Sequence, residues 1–169
     1  LFADIPKAFH QQPPAMWPIL RAGTKAVLIE EPIAPAVFLI AIPSDAVETA
    51  NCIIRRFSEA VTKTYDAQPP VEFTAQNPDS GLAAQVKFEL DQTLNYGLSS
   101  GSQVAVVEHL ERLHGESAMM LRGYCDNDHA PFRRAVFILK LYLPETSAST
   151  PESDSFVENR LTELWGEHI

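Results

Sequence analysis

The densest group of reactive side chains in this sequence is Cys125-Asp126-Asn127-Asp128-His129. Carboxylate, imidazole and thiolate are all metal ligands, and a Cys–His pair can also generate a nucleophile. These residues are contiguous, however, and their segment contains no Gly to wrap it around an ion. No neighbour supplies an orienting group or an oxyanion hole. A solvated turn between two elements therefore outweighs a small hydrolase or metal-binding enzyme built on Cys125, Asp126 and His129, which stands as the alternative. Glu108, His109, Glu111 and His114 straddle a helical turn, and a solvated face is the simpler reading of that spacing. Val104 to Glu108 is an apolar strand ending in an acid, a pattern that holds Mg²⁺ in nucleotide hydrolases. Without a phosphate loop it reads as a buried strand running into solvent. GxSxG, HExxH and CxxC are absent from the sequence. Cys52 and Cys125 have no metal spacing and do not fix a redox compartment.

The elements that must position these groups alternate. Ala36 to Ile42 is a short apolar run bounded by prolines and reads as a buried strand. Ser44 is a candidate N-cap, and Val47, Ala50, Ile54, Phe57 and Val61 then form one stripe of a helix ending near Tyr65. Pro69-Pro70 breaks it, Val71 to Ala75 is a short strand, and residues 77–81 are a turn. A second helix covers Leu82 to Leu98, with Val86, Leu90 and Leu94 inward and Gly97 and Gly101 as its stop. Gln103 to Val107, Ala118 to Tyr124 and Ala135 to Leu143 read as three more strands. Residues 147–155 form a loop. Phe156 to His168 is an amphipathic helix with Val157, Leu161, Leu164 and Trp165 inward. Residues 1–33 are a Pro-rich segment pinned on the body by Phe2, Phe9, Met16 and Trp17. Prolines at 6, 13, 14 and 18 argue against a long helix within residues 1–20.

The pattern predicts a single α/β domain over residues 1–169, with a Rossmann-like, mostly parallel sheet covered by helices. Ligands in such folds sit at the carboxyl ends of the strands. The first strand-to-helix turn, Pro43-Ser44-Asp45-Ala46, has neither Gly nor Lys and puts Asp45 and Glu48 where phosphate would lie. Carboxylates repel that anion, so no nucleotide or other cofactor is expected.

With 46% hydrophobic residues the chain has the composition of a globular domain. A net charge of −9 argues against a grip on nucleic acid. The doublets Arg55-Arg56 and Arg133-Arg134 are too short to reverse that. The longest apolar run, Ala34 to Ile42, is about half a membrane span. The chain starts at Leu1 rather than Met. The expectation is a piece of a longer protein whose targeting or anchoring segment lies elsewhere.

Three stretches resemble the luminal domain of the torsin-interacting protein family, which comprises the lamina-associated polypeptide of the inner nuclear membrane and its endoplasmic-reticulum paralogue. They are AVFLIAIPSDAVETANCIIRRFSEAVTKTYDA, VKFELDQTLNYGLSSGSQVAVVEHLERL and SAMMLRGYCDNDHAPFRRAVFILKLYL, together spanning roughly residues 35–145. VKFELD, the Gly97…Gly101 spacing followed by AVV, and Tyr124-Cys125-Asp126 are the nearest matches. The resemblance implies a degenerate AAA+-like domain that binds no nucleotide. Such a domain is a non-enzymatic cofactor of a torsin-type AAA+ ATPase in its ATP-bound state, in the endoplasmic-reticulum or perinuclear lumen. The membrane would be reached only through a segment absent from this chain. Family members complete the ATPase site with an arginine finger in a Leu-Trp-Ser-Arg-like segment. Leu164-Trp165-Gly166-Glu167 would put Glu167 at that position. The spacing from Glu145-Thr146 to Val157-Glu158 instead favours a finger segment beyond Ile169. No residue here is assigned as the finger. Arg160, Glu163 and Glu167, on the exposed side of the last helix, are the candidate partner contacts.

Overall fold

The structure is a computed structural model that describes residues 4–76, 83–144 and 154–166, with side chains from 157 in the last segment. Four strands, β1 (Ala36–Ile42), β2 (Val71–Thr74), β3 (Val104–Glu108) and β4 (Val136–Tyr142), form a sheet in the order β1-β4-β3-β2. All three pairings are parallel, with Ala36 opposite Val136 and Val104 also opposite Val136. Among the described residues, six α-helices accompany them: α1 (Ile5–Ala8), α2 (Met16–Val27), α3 (Val47–Tyr65), α4 (Ala83–Ser99), α5 (Gly115–Cys125) and α6 (Asp154–Trp165). This is the expected Rossmann-like, AAA+-like α/β architecture.

The strands are apolar on both sides because both faces are covered. Val136 and Ile138 of β4 join Leu20 and Val27 of α2 and Ile54, Phe57 and Val61 of α3 in one core layer. Phe137, Leu139 and Leu141 join Leu90 and Leu94 of α4 and Leu121 and Tyr124 of α5 in the other. Gly23 lets α2 approach β1 closely, since a Cβ there would lie 2.6 Å from Phe38. Tyr124 donates its hydroxyl to Asp91 Oδ1 at 2.6 Å and ties α5 to α4.

Three expectations need correction. Ala118 to Tyr124 is part of α5, not a strand. Its buried residues Ser117, Ala118, Leu121 and Tyr124 recur at helical intervals, and a short apolar run does not by itself separate the two states. With α5 in place, every parallel crossover carries a helix. Secondly, residues 16–27 are helical despite Pro18. That proline lies in the first turn, where the missing N–H has no intrahelical partner anyway. Thirdly, Ser44 makes no side-chain cap bond. Ser44–Ala46 is a 3₁₀ turn that leads into α3 at Val47.

The carboxyl ends of β1, β3 and β4 gather the turns at residues 43–46, 109–114 and 143–144 along one edge. Among the described residues, no helix is long and apolar enough to cross a membrane.

Candidate functional site at the carboxyl edge of the sheet

At the end of β3, Glu108 does not run into solvent as the sequence reading expected. Its carboxylate pairs with Lys140 of β4, whose ammonium is almost fully buried. Burial alone would lower the Lys140 pKa. Hydrogen bonds and charge from Glu108 and Tyr142 outweigh it, and the net shift is upward. Lys140 therefore stays protonated at neutral pH and is no general base. Its ammonium lies 5.4 Å from the centre of the Tyr142 ring. The other side of that cluster is His109, stacked on Tyr142 with ring centres 4.3 Å apart.

The spacing of His109 and Glu111 suggests a solvated helical face. They are instead largely shielded, with side chains 22% and 16% exposed. His109 takes the left-handed conformation (φ 59°) and opens a 3₁₀ turn, Leu110–Arg112. Its Nδ1 lies 2.7 Å from Glu111 Oε1, while Glu111 Oε2 accepts the backbone N–H of Tyr142 at 3.0 Å. Arg112 Nε sits 3.7 Å from the same carboxylate. The turn drops back toward the core through Leu110 and Leu113, 2% and 4% exposed. A phosphate held here would need free N–H donors and an available cation. The buried cation is engaged by Glu108, and the first strand–helix turn presents Asp45 and Glu48 instead of glycines. The sequence reading missed Lys140. Its signal was one Lys inside the apolar run VFILKLY, since a charge buried in a central strand requires a partner.

The Cys125–Asp126–His129 group assembles differently. Cys125 closes α5, and burial pushes its thiol up to about 12. A thiol so shifted is protonated at neutral pH and is not a nucleophile. Asp126 Oδ1 accepts the backbone N–H of Asp128 at 2.8 Å and of His129 at 2.7 Å. Those bonds, the one from His129 first, hold its carboxyl below the usual range. The His129 side chain is 89% exposed, with Nδ1 3.4 Å from Asp126 Oδ1. Ligand atoms of Asp126, Asp128 and His129 come within 4.8 Å of one another. The geometry is that of an Asp-closed turn, and two of the three groups lie in open solvent. Alkylation of the folded protein at pH 7.5 is expected to be much slower at Cys125, which is half-buried, than after denaturant is added. Equal rates in the native and denatured protein, measured by peptide mapping, would show that the fold does not raise its pKa.

The third element is α6. Val157, Leu161, Leu164 and Trp165 pack on the core layer of α4 and α5. The Trp165 indole N–H donates to the Leu113 carbonyl at 3.1 Å. On the outside, Arg160 Nη1 lies 3.1 Å from Glu163 Oε2, with side chains 37% and 68% exposed. Glu167, the third candidate contact, is outside the described residues.

Residues 2–166 match the family model described as "Lamina-associated polypeptide 1, AAA+ activator domain". The chain belongs to this family. Among curated relatives, torsin-1A-interacting protein 1 of Mus musculus is 32% identical over 115 residues, covering 66% of this chain and 18% of the relative. The Homo sapiens protein of that name is 25% identical over 130 residues, or 77% of this chain and 22% of the relative. The Pongo abelii protein is 26% identical over the same length. The chain thus spans about a fifth of the length of these relatives. This member of the family combines an all-parallel sheet, an internally paired carboxyl edge and the helix α6 tied to Leu113.

Proposed function

We propose that this chain is a non-enzymatic regulatory domain that docks on a torsin-type AAA+ ATPase in its ATP-bound state and binds no nucleotide itself. The observation that carries the reading is the match of residues 2–166 to an AAA+ activator domain. The names of the curated relatives supply the torsin. The carboxyl edge supports the same reading. Asp45 and Glu48 present exposed carboxylates where phosphate would lie, and the Lys140 cation is already engaged by Glu108. The luminal face of the endoplasmic reticulum or nuclear envelope is the proposed compartment, with membrane attachment through a segment outside this chain.

The outer side of α6 is the proposed contact, through Arg160, Glu163 and Glu167. An exposed ion pair such as Arg160–Glu163 contributes about 0–1 kcal/mol, so either partner can exchange it for a contact across an interface at little loss. Arg160 is engaged by Glu163, and no residue is assigned as an arginine finger.

The test is binding of the purified chain to a hydrolysis-deficient torsin loaded with ATP, with ADP-loaded torsin as control. Binding to the ATP form alone is expected, weakened about tenfold or more by Arg160→Glu, equivalent to 1.4 kcal/mol or more. No binding in either state overturns the docking reading. Unchanged binding by a folded Arg160→Glu variant removes the outer face of α6 from the interface. ATP turnover measured in the same samples separates docking from activation.

A further inference from the structure

Two features that share no sequence neighbourhood meet at one turn. Residues 109–113 leave the carboxyl edge of the sheet under three restraints. His109 holds a left-handed backbone that non-glycine residues adopt infrequently. Its ring is stacked on Tyr142. Glu111 bridges His109 Nδ1 on one oxygen and the Tyr142 N–H on the other. A carboxylate with both oxygens engaged and 16% exposure fixes where the turn sits. Strained backbone persists only where its surroundings over-determine it, and here Glu111 and Tyr142 supply that restraint.

The far end of the same turn is the attachment point of α6. Leu113 is buried, and its carbonyl accepts the Trp165 N–H across 52 residues of sequence. Trp165 is the last residue of α6, so the acceptor sets the position of the helix end. Moving the turn would move the acceptor.

We propose that Glu111 is a positioning residue: through the 109–113 turn it couples the closed carboxyl edge to the C-terminal helix and sets the helix pose that a partner meets. The part concerning a partner rests on the torsin-docking reading; the part concerning Trp165 does not. Lys140, Glu108 and Tyr142 anchor the β side of the coupling. Arg112 adds a second cation beside the Glu111 carboxylate.

The chain has two tryptophans, so in a Trp17→Phe background the indole signal reports Trp165 alone. Glu111→Ala in that background is expected to retain its far-UV circular dichroism. Its Trp165 emission should shift to the red and become more accessible to acrylamide, and ATP-state torsin binding should weaken about tenfold, the scale of one lost hydrogen bond to a charged group. Glu111→Gln keeps an acceptor for the Tyr142 N–H and is expected to restore most of the native emission. A folded Glu111→Ala protein with native Trp165 emission overturns the proposal. Red-shifted emission with unchanged binding to a torsin that the parent chain does bind overturns the partner half of it. If the parent binds no torsin, the docking reading has failed and the emission arm still decides the coupling. Hydrogen exchange on the unsubstituted chain decides the case in which Glu111→Ala does not fold. The Tyr142 amide and the Trp165 indole N–H should then exchange through one common opening. Independent exchange rates for the two would overturn the proposal.

Discussion

Glu108→Ala is expected to destabilise the protein by about 3 kcal/mol, because it leaves the Lys140 ammonium buried without its counter-charge. Breaking a buried pair costs about 3–5 kcal/mol, and the lower end applies because Glu108 is 31% exposed and its loss admits water. For a chain of this size the midpoint of thermal unfolding should fall by about 6–12 °C. The effect is asymmetric. Lys140→Met replaces the ammonium with an apolar chain of similar reach and leaves Glu108 partly hydrated, so about 1 kcal/mol is expected. Adding Lys140→Met to Glu108→Ala should recover most of the loss, and the double-mutant cycle measures the coupling directly. Equal costs for the two single variants would mean that Lys140 is not desolvated. The pH dependence has a defined sign. The folded-state Lys140 pKa is raised. Its contribution is therefore complete at neutral pH and is lost as pH climbs above about 10.4, the unfolded value, and through the folded one.

Phe57→Ala is expected to cost about 3–5 kcal/mol, measured by urea unfolding with an unchanged slope. Phe57 is 2% exposed and meets Phe38 edge-on, with centroids 5.7 Å apart and planes at 81°. The edge-to-face geometry adds about 0.5–1.5 kcal/mol beyond area burial. The site cannot close over the cavity easily. Phe38 is held on its other side by α2, whose Gly23 has no room for even a Cβ. A domain with about 5–15 kcal/mol in hand loses a fifth or more of its stability by this one change. A loss under about 1 kcal/mol would show that α2 and α3 can collapse onto the sheet, contrary to the close packing described.

Much of the architecture is legible without coordinates. The runs AVFLIAI and VAVVE, the stripe Val47–Ala50–Ile54–Phe57–Val61, and Gly101 as a helix stop each announce their element through period or turn chemistry, and Gly101 does take a positive φ after α4. The absence of a phosphate loop after β1 is equally local, because it concerns residue types in five consecutive positions. The resemblance of residues 35–145 to torsin-interacting proteins was likewise visible, and the family match over 2–166 agrees with it. The misreadings share one cause. For α5 the same apolar residues suit a strand or a helix, and only packing of Leu121 and Tyr124 against α4 selects between them. For α2 the prolines argue against a long helix, but Pro18 falls in the one turn of a helix that tolerates it.

The alternation of elements, the parallel sheet that such alternation requires, and a first strand–helix turn without Gly or Lys are all readable from residues close in the chain. Only the tertiary structure decided which charges meet. Glu108 and Lys140 are 32 positions apart, Glu111 and Tyr142 31, and Leu113 and Trp165 52. Local period and propensity contain no term for such pairs. The first two exist because parallel pairing brings the ends of β3 and β4 to one edge, where partly buried charges must find partners or be excluded, and the third because α6 packs back on the α4–α5 layer.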